Sequence, residues 1–188
     1  MAYPTDRLVA DIARGKLSRD NDPALWDSLG RPCVRTFPGP DDLRYTPLRV
    51  IHGYWSGLPR VDGVAQQTRV EPEAIVPALG YVMLLDVIDG GQDFHYALFG
   101  SKIANVAGFD MTRKRLSEVP TTSPARRLFH AGYLAVVRHR TPLLLVQQAP
   151  DSIMIGSWHR LVLPLGRGAE VLRLLVCSVP VDPEGMIK

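Results

Sequence analysis

The chain has 188 residues, of which 46% are hydrophobic and 22% are charged, and its formal net charge is +3. This composition is ordinary for a soluble globular protein, and the length suffices for one domain with a real core plus an extension. No apolar run reaches the roughly 18 residues of a membrane span, and the first residues lack the apolar region of a signal peptide. We therefore expect a cytoplasmic protein with no membrane partner.

The cysteines and the basic residues argue against two further classes of protein. Cys33 and Cys177 lie far apart and lack the CxxC spacing of zinc sites, so neither a disulfide framework nor a metal site is predicted. The basic residues are dispersed, and their densest group is the triplet at 113–115. Because nucleic-acid binding normally requires a basic face, we expect no nucleic-acid partner.

The first 43 residues differ from the rest of the chain. Apolar residues at helical spacing predict a short amphipathic helix over about residues 5–14. The chain that follows is rich in Gly, Pro and Asp, which is typical of connecting segments. This arm would either pack on the domain or mediate the pairing of two copies. We predict three segments, namely a partly helical N-terminal arm (1–43), a single domain (44–182) and a C-terminal tail (183–188).

The predicted domain begins with two helices and a hairpin. Thr46-Pro47 is typical of a helix start, and Pro59 ends that helix. A second short helix is predicted over residues 71–79. Residues 81–88 and 94–99 are rich in β-forming side chains and are separated by a turn containing Gly-Gly, which predicts a β-hairpin.

A helical block and three more strands complete the domain. Ser101 begins a short helix that Gly108 ends, and Ser123-Pro124 opens the longest helix, which ends before Pro142. Three strands follow, at residues 143–147, 158–165 and 171–179. The last strand is apolar on both sides, which implies that both faces of its sheet are covered.

This order of elements predicts an α+β fold. Strands and helices do not alternate, so a doubly wound sheet is excluded. We expect a single antiparallel sheet of five strands with helices on one face, plus an N-terminal helical extension. The N-terminal helix, or a partner subunit, would then cover the second face.

Several short segments occur in an order that points to one family. They are Tyr54-Trp55 with Leu58-Pro59, Glu71–Ile75 leading to Leu79, Phe94–Ser101, Gly108–Thr112 and Arg160–Leu165. Together they resemble the PAS domain, in particular the divergent PAS-like family common in alphaproteobacteria. The resemblance implies a PAS-like five-stranded antiparallel sheet. The family usually has a basic residue before the Asp and a Gly after the Thr of the fourth segment, where this chain has Phe109 and Arg113.

The strand at 94–99 indicates a small-molecule cavity. Strict alternation would place Phe94, Tyr96 and Leu98 on one face of it. Given the resemblance, further side chains of the longest helix and of the strand at 158–165 would face the same cavity, where an inward Arg160 would bind an anion. The predicted ligand-binding residues are Phe94, Tyr96, Leu98, Phe129, Tyr133, Trp158 and Arg160. The alternative, in which these aromatic side chains fill the core and leave no cavity, stays open.

The sequence contains few features that suggest catalysis, and no catalytic residue is predicted. The chain contains no GxSxG, HExxH or P-loop motif. His159 and Ser157 could share a strand face, but ordinary polar residues explain this pair better. His130 suggests haem as a cofactor, because some PAS sensors bind haem through a helical histidine. Its place on the polar side of the longest helix favours a solvated surface residue instead.

The sequence therefore predicts a non-enzymatic, PAS-like sensory or regulatory module. It would bind a small organic ligand or a separate signalling protein, and it would form a homodimer through the N-terminal helix or the sheet. One alternative is a structural dimerisation scaffold that binds no ligand. The other is a small enzyme built around the same cavity.

Overall fold

A computed structural model describes residues 6–20, 22–149 and 155–188 of the chain. The α-helices in these ranges are α1 (Asp6–Ala13), α2 (Pro23–Ser28), α3 (Thr46–Gly57), α4 (Ser101–Ala107) and α5 (Ser123–His139). The β-strands are β1 (Cys33–Thr36), β2 (Arg60–Val61), β3 (Val64–Ala65), β4 (Val82–Ile88), β5 (Asp93–Phe99), β6 (Leu143–Gln148), β7 (Ser157–Arg167) and β8 (Glu170–Val181). Short 3-10 helices include those at Pro72–Ala78 and Asp89–Gly91.

All of these strands belong to one sheet, whose main path runs β1-β6-β7-β8-β4-β5. The α+β class is confirmed, but the prediction of five strands was wrong, because the described ranges form a sheet of 8 strands. The predicted strands β4 to β8 form its centre in the order β5-β4-β8-β7-β6. The hairpin β2–β3 attaches to β7, and β1 pairs antiparallel with β6. β1 thereby covers backbone groups that an edge strand would otherwise expose.

Helices cover both faces of the sheet, so the prediction of helices on one face was also wrong. The first face carries α1, α2, α4 and α5, and the second face carries α3 and the 3-10 helix at Pro72–Ala78. The N-terminal helix does not cover the second face, because α1 packs against α5 on the first. The cover comes from α3, where the Trp55 indole donates a hydrogen bond to the Pro164 carbonyl oxygen at 2.9 Å.

The arm contributes to the core of the first face. Leu8, Ile12 and Leu25 are all buried there. Asp22 pairs with Arg127 of α5 at 2.5 Å between Oδ2 and Nη2. Its other carboxylate oxygen accepts a hydrogen bond from the Leu25 amide at 3.0 Å and so caps α2. These three apolar side chains of the arm are therefore packed within their own chain.

The junction between β5 and α4 requires a glycine because two backbone segments meet there. A Cβ on Gly100 would lie 2.3 Å from the carbonyl oxygen of Gly80. That oxygen accepts hydrogen bonds from the amides of Lys102 at 3.0 Å and Ile103 at 3.3 Å. Since the first amides of a helix have no partner within the helix, the Gly80 carbonyl satisfies two of them and fixes where α4 begins.

Replacing Gly100 by alanine should therefore destabilise the protein. We expect Gly100→Ala to lower the free energy of unfolding by about 1–3 kcal/mol, because the backbone of Gly80 cannot move away without breaking the start of α4. The matched control is Gly53→Ala in α3, where an added Cβ meets nothing within 4 Å. This control should be stabilised by about 0.5–1 kcal/mol. Urea denaturation measures both, and equal effects of the two substitutions would contradict the packing described at Gly100.

Candidate ligand-binding cavity

A cavity of about 140 Å³ lies between the first face of the sheet, α4, α5 and the arm. Its wall is mostly apolar, and aromatic side chains form a large part of it, namely Tyr96, Phe99, Phe109, Phe129 and Trp158. The polar part of the wall includes Arg160 of β7 and Gln147 of β6. An apolar cleft with a few placed polar groups is the usual form of a small-molecule site. The volume is comparable to that of an engineered cavity of about 150 Å³ that binds benzene.

Four of the predicted ligand-binding residues line this cavity, and they are Tyr96, Phe129, Trp158 and Arg160. Phe94 and Tyr133 do not line it, because they are fully buried behind its wall. Their rings pack edge to face with 5.3 Å between centroids. These two aromatic side chains fill core space, whereas the other four surround open space.

Leu98 was expected to share a face with Tyr96, and this expectation was wrong. The pairing of β4 with β5 passes from Leu84↔Leu98 to Leu85↔Tyr96, so a bulge interrupts the alternation at Ala97. Leu98 is consequently 43% exposed, and Phe99 turns inward to line the cavity. The sequence offers no signal for this bulge, since no glycine or proline lies inside the strand.

Arg160 is a buried cation without a charged partner among the described residues. The residue is 7% exposed, and its Nε and Nη1 atoms have no hydrogen-bond partner among the residues that the structure describes. The guanidinium lies over the Phe129 ring, with 4.0 Å between Cζ and the ring centroid. Contact with a ring face stabilises a cation but supplies no acceptor for its N–H groups. Burial of a charge without such acceptors is costly.

The tyrosines near Arg160 do not neutralise it. Burial raises the pKa of Tyr96 well above its usual value, and the neighbouring Tyr133 raises it further, while Arg160 opposes the shift. Burial likewise raises the pKa of Tyr133 against the opposing effect of Arg160. Both phenols are thus neutral near pH 7. The Tyr133 hydroxyl lies near that of Tyr96, but the geometry leaves it without a hydrogen bond in the described part of the chain.

Gln147 is a second polar group of the cavity wall, and it was not among the predicted ligand-binding residues. Its side chain is buried, and its Oε1 atom has no partner within the described ranges. It lies opposite Trp158 in the pairing of β6 with β7, close to the register position of Arg160. Alternation along β6 could have indicated it, because Gln147 is two residues from the inward Leu145.

The arm closes one side of the cavity. Leu29, which follows α2, is 4% exposed and lines the cavity wall. Its carbonyl oxygen accepts a hydrogen bond from the Gln148 amide at 3.3 Å, directly after the cavity residue Gln147. The next residue, Gly30, has a φ of +60°, and a Cβ there would collide with the Gln148 side chain. A ligand in the cavity would therefore contact the arm as well as the domain.

The loop after α4 carries the two departures from the family pattern. Phe109 lines the cavity. Arg113 has a φ of +68°, a left-handed conformation that glycine adopts without strain and that explains why glycine is usual at this position. The Arg113 amide donates to the Tyr96 carbonyl oxygen at 2.7 Å, and the Tyr96 amide donates to that of Lys114 at 2.9 Å. The loop is thus fixed to β5 beside a cavity residue.

His130 was expected at the surface, and this expectation was wrong because the residue is 1% exposed. The turn at Asp89–Gly91 packs on α5 and covers it, which the helical pattern alone cannot show. Its Nε2 atom lies 2.8 Å from the Gly91 carbonyl oxygen, and burial lowers its pKa. The neutral ring therefore donates from Nε2. His130 is not among the cavity-lining residues, so the side chain that suggested haem is engaged elsewhere.

The pair that suggested catalysis lies on the other side of β7. Trp158 and Arg160 face the cavity, so the alternating residues Ser157 and His159 face away from it. His159 packs edge to face against Tyr45, with 4.9 Å between ring centroids. Burial and nearby Arg44 lower the pKa of His159. This pair therefore has no access to a ligand in the cavity.

The fold and the cavity together define a small α+β domain. Its helical block follows the first central hairpin and covers one sheet face over a partly open cavity. A family model described as "PAS domain" matches residues 43–174. The chain belongs to the PAS domain family, as the sequence motifs predicted. Comparisons with curated proteins and with solved structures found no match. In the described ranges, no helix is long and apolar enough to cross a membrane.

Because Arg160 is a buried charge with no charged partner in the described part of the chain, removing it should stabilise the ligand-free protein. We expect Arg160→Met to raise the free energy of unfolding by about 1 kcal/mol or more, since methionine keeps an apolar contact with Phe129. The control is Arg173→Met, which removes an arginine bound to Asp86 at 2.6 Å and to the Thr68 carbonyl oxygen at 2.8 Å. This control should lose about 0.5–1 kcal/mol. Losses of similar size in both variants would show that Arg160 has a structural partner.

Proposed function

We propose that this PAS domain is a sensory or regulatory module that binds a small organic ligand in the cavity between its sheet and α5. Membership of the family supports a sensory or regulatory role in general. The ligand proposal depends on buried polar atoms of Arg160 and Gln147, which lie in the wall of an otherwise apolar cavity and have no partner among the described residues. In folded proteins such atoms nearly always have a partner, and a bound ligand would supply one.

The same observation argues against a cavity that exists only through imperfect packing. A space left between apolar side chains has apolar walls and stays dry. Here a cation and an amide face the cavity. The aromatic side chains that could have filled it line its wall instead. Phe94 and Tyr133 show that this core does pack aromatic rings tightly where no space is kept.

We further propose that the arm transmits the occupancy of the cavity. A ligand would touch Leu29 of the arm and Phe129 of α5, and Arg127 of the same helix holds Asp22 of the arm. A ligand that fits one packing of the arm better than another shifts the balance towards that packing. The arm precedes the residues matched by the family model, and we regard segments 1–43 and 44–182 as acting together. A cytoplasmic location and a non-enzymatic role remain parts of this proposal.

Filling the cavity should abolish ligand binding without unfolding the protein. We propose Ala107→Leu, which adds a larger apolar side chain at the cavity wall on α4. Its matched control is Asn105→Leu on the exposed side of the same helix. A thermal-shift screen of small metabolites should find compounds that raise the melting temperature of the wild type and the control by several degrees. The same compounds should leave the Ala107→Leu variant unchanged. If no compound shifts the wild type, or if the filled variant responds equally, the cavity is not the binding site.

The dimerisation scaffold remains the alternative proposal. The apolar side of α1 is already used within the chain, with Leu8 3% exposed and Val9 1% exposed, so pairing through this helix would use its polar side. Sedimentation of the full chain with and without a hit from the screen separates the two functions. A scaffold predicts a dimer that no ligand affects, whereas a sensor predicts a ligand-dependent change in stability or association.

A further inference from the structure

In the part of the chain that the structure describes, the cavity wall carries one charge, and it is positive. Among the described residues that line the cavity, Arg160 is the only ionised side chain, since the other polar groups are neutral at pH 7. Within the described ranges its Nε and Nη1 atoms lack hydrogen-bond partners, and burial removes most contact with water. A guanidinium presents its N–H donors in a plane and matches a carboxylate closely. An anion that enters with the ligand would supply this partner.

We infer that the ligand is a small organic monocarboxylate with an apolar, preferably aromatic, body. This inference rests on the proposed ligand-binding function of the cavity. The carboxylate would bind Arg160, and the body would lie among the rings of Tyr96, Phe99, Phe129 and Trp158. The Gln147 atom without a partner in the described ranges is Oε1, an acceptor, so it would bind a donor group of the ligand and not the carboxylate.

The number of charges excludes dicarboxylates. One buried arginine can neutralise one carboxylate, and a second carboxylate in this apolar space would stay unpaired at high cost. The aromatic wall likewise disfavours a compact hydrophilic anion such as phosphate, which would leave most of the cavity surface without contact. An anion with an apolar body satisfies both parts of the wall.

The volume limits the size of the ligand. At about 140 Å³ the cavity suits a body of roughly one six-membered ring. Haem, flavins, nucleotides and long acyl chains are several times larger and would require the arm or α4 to move away. Benzoate and 4-methylpentanoate represent the aromatic and the branched aliphatic monocarboxylates of this size.

The test compares each acid with its neutral amide on the full-length protein by calorimetric titration. Benzoate is paired with benzamide, and 4-methylpentanoate is paired with 4-methylpentanamide. Phthalate, a dicarboxylate, and inorganic phosphate, a compact hydrophilic anion, serve as negative controls. We expect each acid to bind at least about tenfold more tightly than its amide, because a hydrogen-bonded charge pair discriminates by that factor or more. Phthalate and phosphate should bind weakly or not at all.

Substitutions then assign the effect to Arg160. Arg160→Met should reduce the affinity for the acids to that for the amides, and Arg160→Lys should restore part of it. The control Arg167→Met removes an exposed arginine of the same strand and should change nothing. The side-chain Nε–H resonance of Arg160 in the unmodified protein provides a second readout. It should shift on addition of benzoate and not on addition of benzamide.

The outcomes separate this inference from the function on which it rests. Equal binding of acids and amides, or binding of acids that Arg160→Met leaves intact, overturns the monocarboxylate inference but leaves a ligand-binding module. Tighter binding of phthalate or phosphate overturns it in the same way. If neither acids nor amides bind, and a wider screen finds no compound whose effect the Ala107→Leu variant abolishes, both proposals fall.

Discussion

The central strand β8 has apolar side chains on both faces, and this constraint determines the architecture around it. Leu174 and Val176 belong to the core of the first face, while Leu175 and Cys177 belong to that of the second. Both layers must be covered, because apolar area exposed to water costs stability in proportion to its size. The second face is closed by α3. The first face receives the helical block and the arm, and the packing there leaves the cavity open.

The incomplete packing coincides with a charge that a purely structural core would not contain. Folding places Arg160 on the cavity face of β7 beside Trp158, over the ring of Phe129. A methionine at this position would pack without the cost of desolvating a guanidinium. The arginine lowers the stability of the ligand-free protein, as residues of binding sites commonly do. A partner group on the ligand would offset this cost. The Gln147 Oε1 atom is an acceptor, and a donor group of a ligand would supply its partner.

Much of this arrangement could be predicted from local patterns. Alternation, prolines at helix starts and glycines at turns indicated the central strands and the long helix, and residues two apart on β7 placed Trp158 and Arg160 on one face. Three features escaped because they depend on contacts distant in sequence. Strand β1 forms only by pairing with β6. The bulge at Ala97 places Phe99, and not Leu98, in the cavity wall. His130 is covered by the turn at Asp89–Gly91. The cavity itself is a property of all these contacts together.

A crystal structure of the full-length protein grown with benzoate examines the role of Arg160 most directly. The cavity should hold the ligand with its carboxylate within about 3 Å of the Arg160 guanidinium and its ring among the aromatic side chains of the wall. The contradicting result would be an Arg160 paired with a carboxylate of the chain itself, with aromatic side chains occupying the space assigned to the ligand.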